Sequence, residues 1–336
     1  MPSIADEYRA ARAGCGFLRV AGRRILSVGG PDRARWLHGL CTNDILLLAT
    51  GRRGDSFQKG ERAAVDRTPS GVGCYAVMPT RQGKMAAEFK VRLFEQTILL
   101  DTGEAGLFEA LGKLIIMEDV KLEDRTADFA LFALVGPQAR ECLRKTFGSV
   151  PFLKLFQHAV ADGSILSPSP VGFDLQVPAR SAPDVAAKLA QAGAVAIGEG
   201  AFDIVRIEEG WPRWGVDMDR TVLPMEAALE PVAISYTKGC YVGQEVIQRV
   251  KTYSEAPRAL VSLAIESDAE PSPGLSLAAD GAEVGRITSA AVSPATGRAV
   301  ALGYVRKEHK EPGRRVTAGG AVALVQRPRW QERMST

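Results

Sequence analysis

The sequence predicts an α+β protein that closes with a small antiparallel β-domain. Three observations point there. Up to residue 252, strand-like and helix-like segments mix irregularly instead of alternating as β-α-β units. After Pro257 helical periodicity disappears, and short apolar runs (LVSLAI, GLSL, EVGRITSAAV, AVALGYV, RVTA, AVALVQR) are separated by Gly, Pro and Asp turns. Short strands at roughly 8–12-residue spacing indicate a barrel or sandwich. The length of 336 residues suits two or three domains of roughly 150 residues each, and buries a sizeable core without staples. The spacing places a domain boundary near 252–258.

Residues 4–13 (IADEYRAARA) read as a helix. Residues 24–28 (RILSV) read as a strand, followed by the turn Gly29-Gly30-Pro31-Asp32. Asp32 is expected to cap a helix over 32–40 whose Trp36, Leu37 and Leu40 share a face. Residues 51–73 carry many charges and glycines and almost no large apolar groups. They cannot repay the entropy of ordering, so a flexible, solvated insertion is expected, with basic partner docking as the sharper alternative. Residues 74–101 read as three short strands around the turn Thr80-Arg81-Gln82-Gly83. Residues 103–115 read as a helix, and the acid-rich stretch 116–128 as a solvated connection. A helix is expected near 183–192, and AFDIVRI (201–207) as a strand.

Composition bounds the function. Forty-six per cent of residues are hydrophobic and 24% charged; 42 Lys and Arg against 39 Asp and Glu leave a formal net charge of +3. So small a balance predicts no direct nucleic-acid binding and no membrane-surface role. No apolar run approaches the ~18 residues of a membrane-spanning helix, and MPSIADEYRAARAG has no apolar signal-peptide region. The five cysteines (Cys15, Cys41, Cys74, Cys142, Cys240) are scattered and form no CxxC pair. That is neither a zinc nor a disulfide pattern, so the expectation is a soluble cytoplasmic protein with reduced thiols.

The most informative stretch is SYTKGCYVGQEVIQRVKTY, Ser235 to Tyr253. Strand-like VAISY leads into Lys238-Gly239-Cys240-Tyr241, and Gly243 precedes a segment with Val246, Ile247 and Val250 at helical spacing. A cysteine in a glycine-flanked turn before a helix N-terminus, beside Lys238, is expected to favour the thiolate. Thiolates attack electrophiles and ligate metals. The glycines admit close approach by a ligand or a second chain. Gln244 and Glu245 stand in the first turn, able to bind a ligand or cap the helix. The bland alternative is a buried, inert cysteine. One cysteine cannot hold an iron–sulfur cluster, which takes about four thiolates, so any metal would be shared with a partner or a second copy. His38, His158 and His309 are distant in sequence and form no nucleophile–base signature with it.

The order of motifs resembles a known family. Lys238-Gly239-Cys240-Tyr241-Val242-Gly243-Gln244-Glu245 resembles the KGCYxGQE signature of the YgfZ family, folate-binding-like factors of iron–sulfur protein maturation related to the glycine cleavage T-protein, an aminomethyltransferase. Ile25 to Ile45 looks like that family's strand, GxDxxxFL and TND segment. Gln82-Gly83-Lys84-Met85 looks like its QGK turn, and Leu134-Val135-Gly136-Pro137 like its second strand and GP element. Arg206-Ile207-Glu208-Glu209-Gly210-Trp211-Pro212 with Gly215-Val216-Asp217 resembles RxExGxPxxGxD. Leu223-Pro224-Met225-Glu226 resembles LPxE, and Gly274 to Val305 the C-terminal barrel. The resemblance implies a three-domain cloverleaf around a central folate-binding opening. Two interleaved α+β domains would span 1–252, and an antiparallel β-barrel 258–330.

Departures from the T-protein pattern bear on function. The T-protein's catalytic Asp follows the turn occupied here by Gln82-Gly83, and this chain reads Lys84-Met85-Ala86-Ala87-Glu88 there. Alanine neither accepts a proton nor orients a pterin amine. Glu88 is a substitute only if strand alternation points it the same way. Where T-proteins carry a pterin-binding Glu, this chain has Pro170, which offers no side-chain hydrogen bond. The expectation is a protein that is not a classical aminomethyltransferase. Its tetrahydrofolate contacts would come from Asn43, Asp44, Phe202, Glu208 and Trp211, Glu208 foremost; the plainer readings are a turn cap for Asn43-Asp44, core packing for Phe202 and Trp211, and an ion pair with Arg206 or another cation for Glu208. By resemblance, Cys240 is the functional thiol, sharing a transient iron–sulfur cluster with an A-type carrier and serving iron–sulfur client enzymes, with any link to tRNA modification indirect. A folate-dependent one-carbon transferase and a purely structural interaction module are the other readings.

Overall fold

The structure, a computed structural model, describes residues 2–50, 70–268 and 270–334; of the anticipated insertion at 51–73, residues 51–69 lie outside the described residues. Two sheets and a barrel carry the fold. The larger sheet has seven strands in the order Val195–Ala196, Gly16–Val20, Phe129–Val135, Gly172–Pro178, Ser164–Ser169, His158–Ala161 and Ser70–Gly71. The smaller has five, in the order Gly73–Pro79, Met85–Leu93, Ile98–Thr102, Arg24–Gly29 and Lys121–Asp124. Each sheet draws strands from both sides of the other's segments, so the two α+β domains are interleaved in sequence.

The third unit is a closed six-stranded antiparallel barrel. Its order is Arg258–Ile265, Arg298–Arg306, Ala282–Ser293, Ser276–Ala279, Arg315–Ala318 and Ala321–Gln326, which pairs back to the first strand. Closure leaves no edge strand exposed. Leu263, Ile265, Val284, Ile287, Val316 and Val325 fill the interior. Every apolar run expected to be a strand after Pro257 is one.

Local signals explain most elements before that. Ile4–Ala13 begins at a capping box in which Ser3 and Asp6 exchange side-chain and backbone hydrogen bonds. The strands Gly73–Pro79, Met85–Leu93 and Ile98–Thr102 form a meander, and Gly83 takes φ +76° in its first turn. The Met85–Leu93 strand alternates: Ala87, Phe89, Val91 and Leu93 enter an apolar core against Trp36, Leu37 and Ile45. Glu88, Lys90 and Arg92 point the other way.

Several expectations are corrected. AFDIVRI is part of a helix, Glu199–Glu209, not a strand. Ala201, Ile204, Val205 and Ile207 are buried at helical spacing, and Gly210 ends the helix in the left-handed region at φ +77°. The dense apolar run concealed the period. VAISY is a short helical turn, Glu230–Ala233, followed by extended chain. The helix at 103–115 contracts to Leu107–Gly112. Within 116–128, Lys121–Asp124 is an edge strand paired to Arg24–Gly29; its exposed faces made it read as solvated chain. Asp32 precedes the Arg33–Leu40 helix but caps nothing with its side chain, which accepts from the Asp119 N–H at 2.9 Å.

Candidate functional site

The two sheets meet through polar side chains, and a cavity of about 260 Å³ opens between them. Its floor is a charged lattice. Arg23 reaches the Glu88 carboxylate at 3.0 Å and Asp101 at 2.5 Å. Lys90 on the smaller sheet donates to Asp174 on the larger at 2.5 Å. The Glu88 carboxylate also accepts the Gly103 N–H at 2.8 Å. Glu88 and Asp101 are almost fully buried. Burial alone would raise the Asp101 carboxyl, but the charges of Arg23, Lys90 and Arg92 hold it well below the usual carboxylate range. Burial pushes the neighbouring Tyr75 phenol up, and the Glu88 charge adds to it.

Aromatic rings make the walls. Tyr75, Phe202, Trp211 and Trp214 line the cavity. Trp211 meets Tyr75 edge-on with ring centroids 5.3 Å apart, and stands edge-on to Trp330 at 5.0 Å. These pairs fix the indole in place. Ser169, Pro170 and Val171 complete one side. A flat, polar-edged, two-ring head group suits such a space: apolar faces for its rings, carboxylates and an amide for its edges.

The expected ligand contacts separate on this geometry. Phe202 and Trp211 stand on the cavity wall; Asn43, Asp44 and Glu208 do not line it. Asn43 donates to the carbonyls of Tyr75 and Val232, both at 2.9 Å. Asp44 accepts the Leu47 N–H at 2.8 Å, a helix-start bond, and faces His38 at 3.5 Å. Glu208 accepts from Tyr8 (2.8 Å) and Ser293 (2.5 Å) and pairs with Arg12, joining the N-terminal helix to the barrel. The helix turns Glu208 away from Phe202's side, which a strand reading could not reveal. Glu88, by contrast, does face the cavity.

The RxExGxPxxGxD segment also acquires a structural role. Arg206 is buried and donates to Asp203 (2.6 Å), Asp217 (2.7 Å), Ser289 (2.9 Å) and the Trp211 carbonyl (2.9 Å). Asp217 accepts in turn from Thr288 and Ser289 at 2.6 Å each. Glu226 of LPxE accepts the Leu223 N–H at 3.0 Å and pairs with Arg258, the first barrel residue, at 3.2 Å. Both motifs rivet the α+β region to the barrel. Arg23, Lys90, Asp101, Asp174 and Gln176 were missed as cavity residues. For Lys90 the available signal was charge at alternate positions in the otherwise apolar strand MAAEFKVRL; the other four carry no such local mark.

Cys240 is exposed, whereas the other four cysteines are buried. It is not among the cavity-lining residues. The expectation that Lys238 would polarise it is corrected: the Lys238 ammonium is 7% exposed and spends its three protons on the carbonyls of His38 (2.6 Å), Cys41 (2.6 Å) and Asn43 (3.0 Å). Burial pulls that ammonium down from its ordinary value. The lysine is a clamp that ties the Cys240 loop to the Arg33–Leu40 helix end. Tyr241 is buried beneath it, its ring 4.8 Å from the ammonium. Gly243, at φ +77°, starts the Gln244–Tyr253 helix; a Cβ there would stand 2.2 Å from the Thr80 carbonyl oxygen. Gly239 lies against the His38 ring. Gln244 is half-buried and Glu245 exposed, and neither caps the helix with its side chain. Among the described residues no group of three or more His, Cys, Asp or Glu is placed to hold a metal ion. No helix among them is long and apolar enough to cross a membrane.

Comparison with known proteins decides the family. The GCVT N-terminal domain matches residues 58–238, and the glycine cleavage T-protein C-terminal barrel domain matches 258–324. The chain belongs to the glycine cleavage T-protein family. Its fold is the T-protein fold, and membership implies a tetrahydrofolate-type ligand. The aminomethyltransferase of Rubrobacter xylanophilus is 26% identical over 336 aligned residues, covering 96% of this chain and 82% of that protein. The aminomethyltransferase of Streptomyces avermitilis is 27% identical, covering 95% and 85%. A chloroplastic protein of Arabidopsis thaliana described as a transferase is 28% identical, with 88% of this chain covering 66% of its length. The crystal structure of the glycine cleavage system aminomethyltransferase T from Bartonella henselae superposes with a TM-score of 0.79 at 22% identity, covering 97% of this chain and 88% of that one.

Proposed function

We propose that this T-protein relative binds a tetrahydrofolate-type ligand in the intersheet cavity and supports iron–sulfur enzymes through Cys240. A reduced pterin is a carrier of one-carbon units. Phe202, Trp211 and Trp214 would sandwich its rings, while Glu88, Asp101 and Gln176 would meet its polar edges. The cavity's volume suits the head group, leaving the glutamyl tail outside. Cys240 stands apart from this chemistry. The observation that carries the second half of the reading is that one thiol of five is exposed, on a loop clamped by Lys238 and braced by Gly243 against the Thr80–Gly83 turn. A loop held this firmly presents its sulfur to a partner at little further cost in entropy. A cluster on Cys240 would draw its remaining thiolates from a partner such as an A-type iron–sulfur carrier, with iron–sulfur enzymes as clients and the cytoplasm as the setting.

The test is anaerobic mixing with a cluster-loaded carrier, comparing wild type with Cys240→Ser. We expect the wild type to prolong cluster lifetime and the variant not to. Equal lifetimes, with equal rescue of a deficient strain, sink the thiol's role. Tetrahydrofolate titration followed by Trp211 and Trp214 fluorescence tests the cavity separately.

A second reading is favoured by the placement of Glu88. It lines the cavity where Ala86 and Ala87 leave no carboxylate, and a buried carboxylate there is able to hold a proton from an amine. That reading is a folate-dependent one-carbon transferase. It requires tetrahydrofolate-dependent turnover that is lost in Glu88→Gln.

A further inference from the structure

Gln176 carries two hydrogen-bonding groups that nothing in the chain satisfies. It sits on the Gly172–Pro178 strand between Leu131 and Ile165 on the neighbouring strands. It is 0% exposed, and neither its Oε1 nor its Nε2 has a partner. It nevertheless lines the cavity, on the same face of its strand as Asp174. On the facing strand, Arg92 is 1% exposed with no hydrogen bond from Nε, Nη1 or Nη2. Its nearest carboxylates, Asp101 at 3.6 Å and Asp174 at 4.0 Å, lie beyond hydrogen-bond distance. Buried polar groups are nearly always paired, and an orphan at a cavity calls for an occupant.

The chemistry of the orphan selects the occupant's edge. A carboxylate only accepts, so it matches two donors side by side; a carboxamide offers one donor and one acceptor. The other cavity-floor groups already have partners, Asp101 with Arg23, Asp174 with Lys90, and Glu88 with Arg23 and Gly103, so their carboxylates offer a ligand only their remaining lone pairs. Pro170, on the same wall, contributes no side-chain hydrogen bond.

We propose that Gln176 is the specificity residue of the cavity, pairing its carboxamide with the lactam N–H and C=O edge of an oxo-pterin. This rests on the reading that a folate-type ligand occupies the site. Gln176 touches the ligand's recognition edge and takes no part in bond making.

The experiment is an anaerobic fluorescence titration with tetrahydrofolate, run on wild type, Gln176→Leu and Gln176→Met, with thermal unfolding of each ligand-free protein. We expect both variants to bind roughly 10- to 100-fold more weakly, since two hydrogen bonds to a buried edge are lost. Their ligand-free Tm is expected to be unchanged or higher, because an unpaired buried polar group has been removed. Two variants of different shape guard against a packing failure in either one. Wild-type affinity in a folded variant overturns the proposal, as does a lower Tm with affinity retained, which would mark Gln176 as structural. If wild type itself fails to respond to tetrahydrofolate, the folate reading falls and this inference falls with it; binding by wild type with no loss in the variants removes the inference alone.

Discussion

Nη1 of Arg206 lies 2.7 Å from Oδ2 of Asp217, eleven residues further along the chain, in an interior closed to water. The pair turns the chain back on itself after the Glu199–Glu209 helix and locks it onto the barrel through Thr288 and Ser289. Removing one partner of a buried ion pair leaves the other charge uncompensated, at roughly 3–5 kcal/mol. Asp217→Asn is therefore expected to destabilise the protein by about 3 kcal/mol in urea unfolding, and Ser289→Ala by about 1 kcal/mol. A change below about 0.5 kcal/mol for Asp217→Asn would show that the rivet carries no weight.

Thiol labelling should separate the cysteines by burial. Cys240 is exposed, while Cys15, Cys41, Cys74 and Cys142 are enclosed. Brief iodoacetamide treatment of the native protein, followed by peptide mass mapping, is expected to modify Cys240 and leave the other four until denaturant is added. Burial raises the Cys41 and Cys74 thiols, which slows their alkylation further. Labelling of Cys41 or Cys74 at the rate of Cys240 would contradict the loop's placement.

Gly243 is the point where a methyl group does most harm for its size. Its φ of +77° disfavours any L side chain, and a Cβ would press on the Thr80 carbonyl at 2.2 Å. Gly243→Ala is expected to lower stability by more than about 1 kcal/mol and to change the native labelling rate of Cys240. Gly297→Ala, also at positive φ but in open space, serves as the control for strain without contact. Equal effects from the two substitutions would remove the argument from close approach.

Mild acid should unfold the protein partly through His158. Its imidazole is buried between Gly71 and Phe94. Burial, then the nearby Arg92 charge, lowers its pKa to about 3. The folded state thus holds it neutral, while the unfolded chain protonates it near its ordinary 6.5. Stability is complete above about pH 6.5 and is lost as pH falls toward 3, by up to about 1.4 kcal/mol per unit for this one group. His38, lowered chiefly by burial and then by Lys238, works in the same direction. Urea midpoints measured from pH 7 to 4.5 should fall for wild type and fall less for His158→Gln. Identical pH slopes would exclude His158 as the source.

The sequence by itself determined the closing antiparallel β-domain, the three-stranded meander and the kinship with the glycine cleavage T-protein. Those depend on local quantities: the spacing of turn residues, the alternation of Ala87, Phe89, Val91 and Leu93, and the order of short motifs. It also marked Cys240 as unusual, because glycines on both sides of a cysteine are visible without coordinates. Only the tertiary structure decided where the polar residues went. Glu208 and Phe202 lie six positions apart, yet one rivets the barrel and the other walls the cavity, because the segment is a helix packed on two sides. Lys238 stands two residues from Cys240 and serves carbonyls at the end of the Arg33–Leu40 helix and in the loop after it. Periodicity records which face of an element avoids water; what meets a polar face is set by the surface folded against it, and that surface comes from distant sequence.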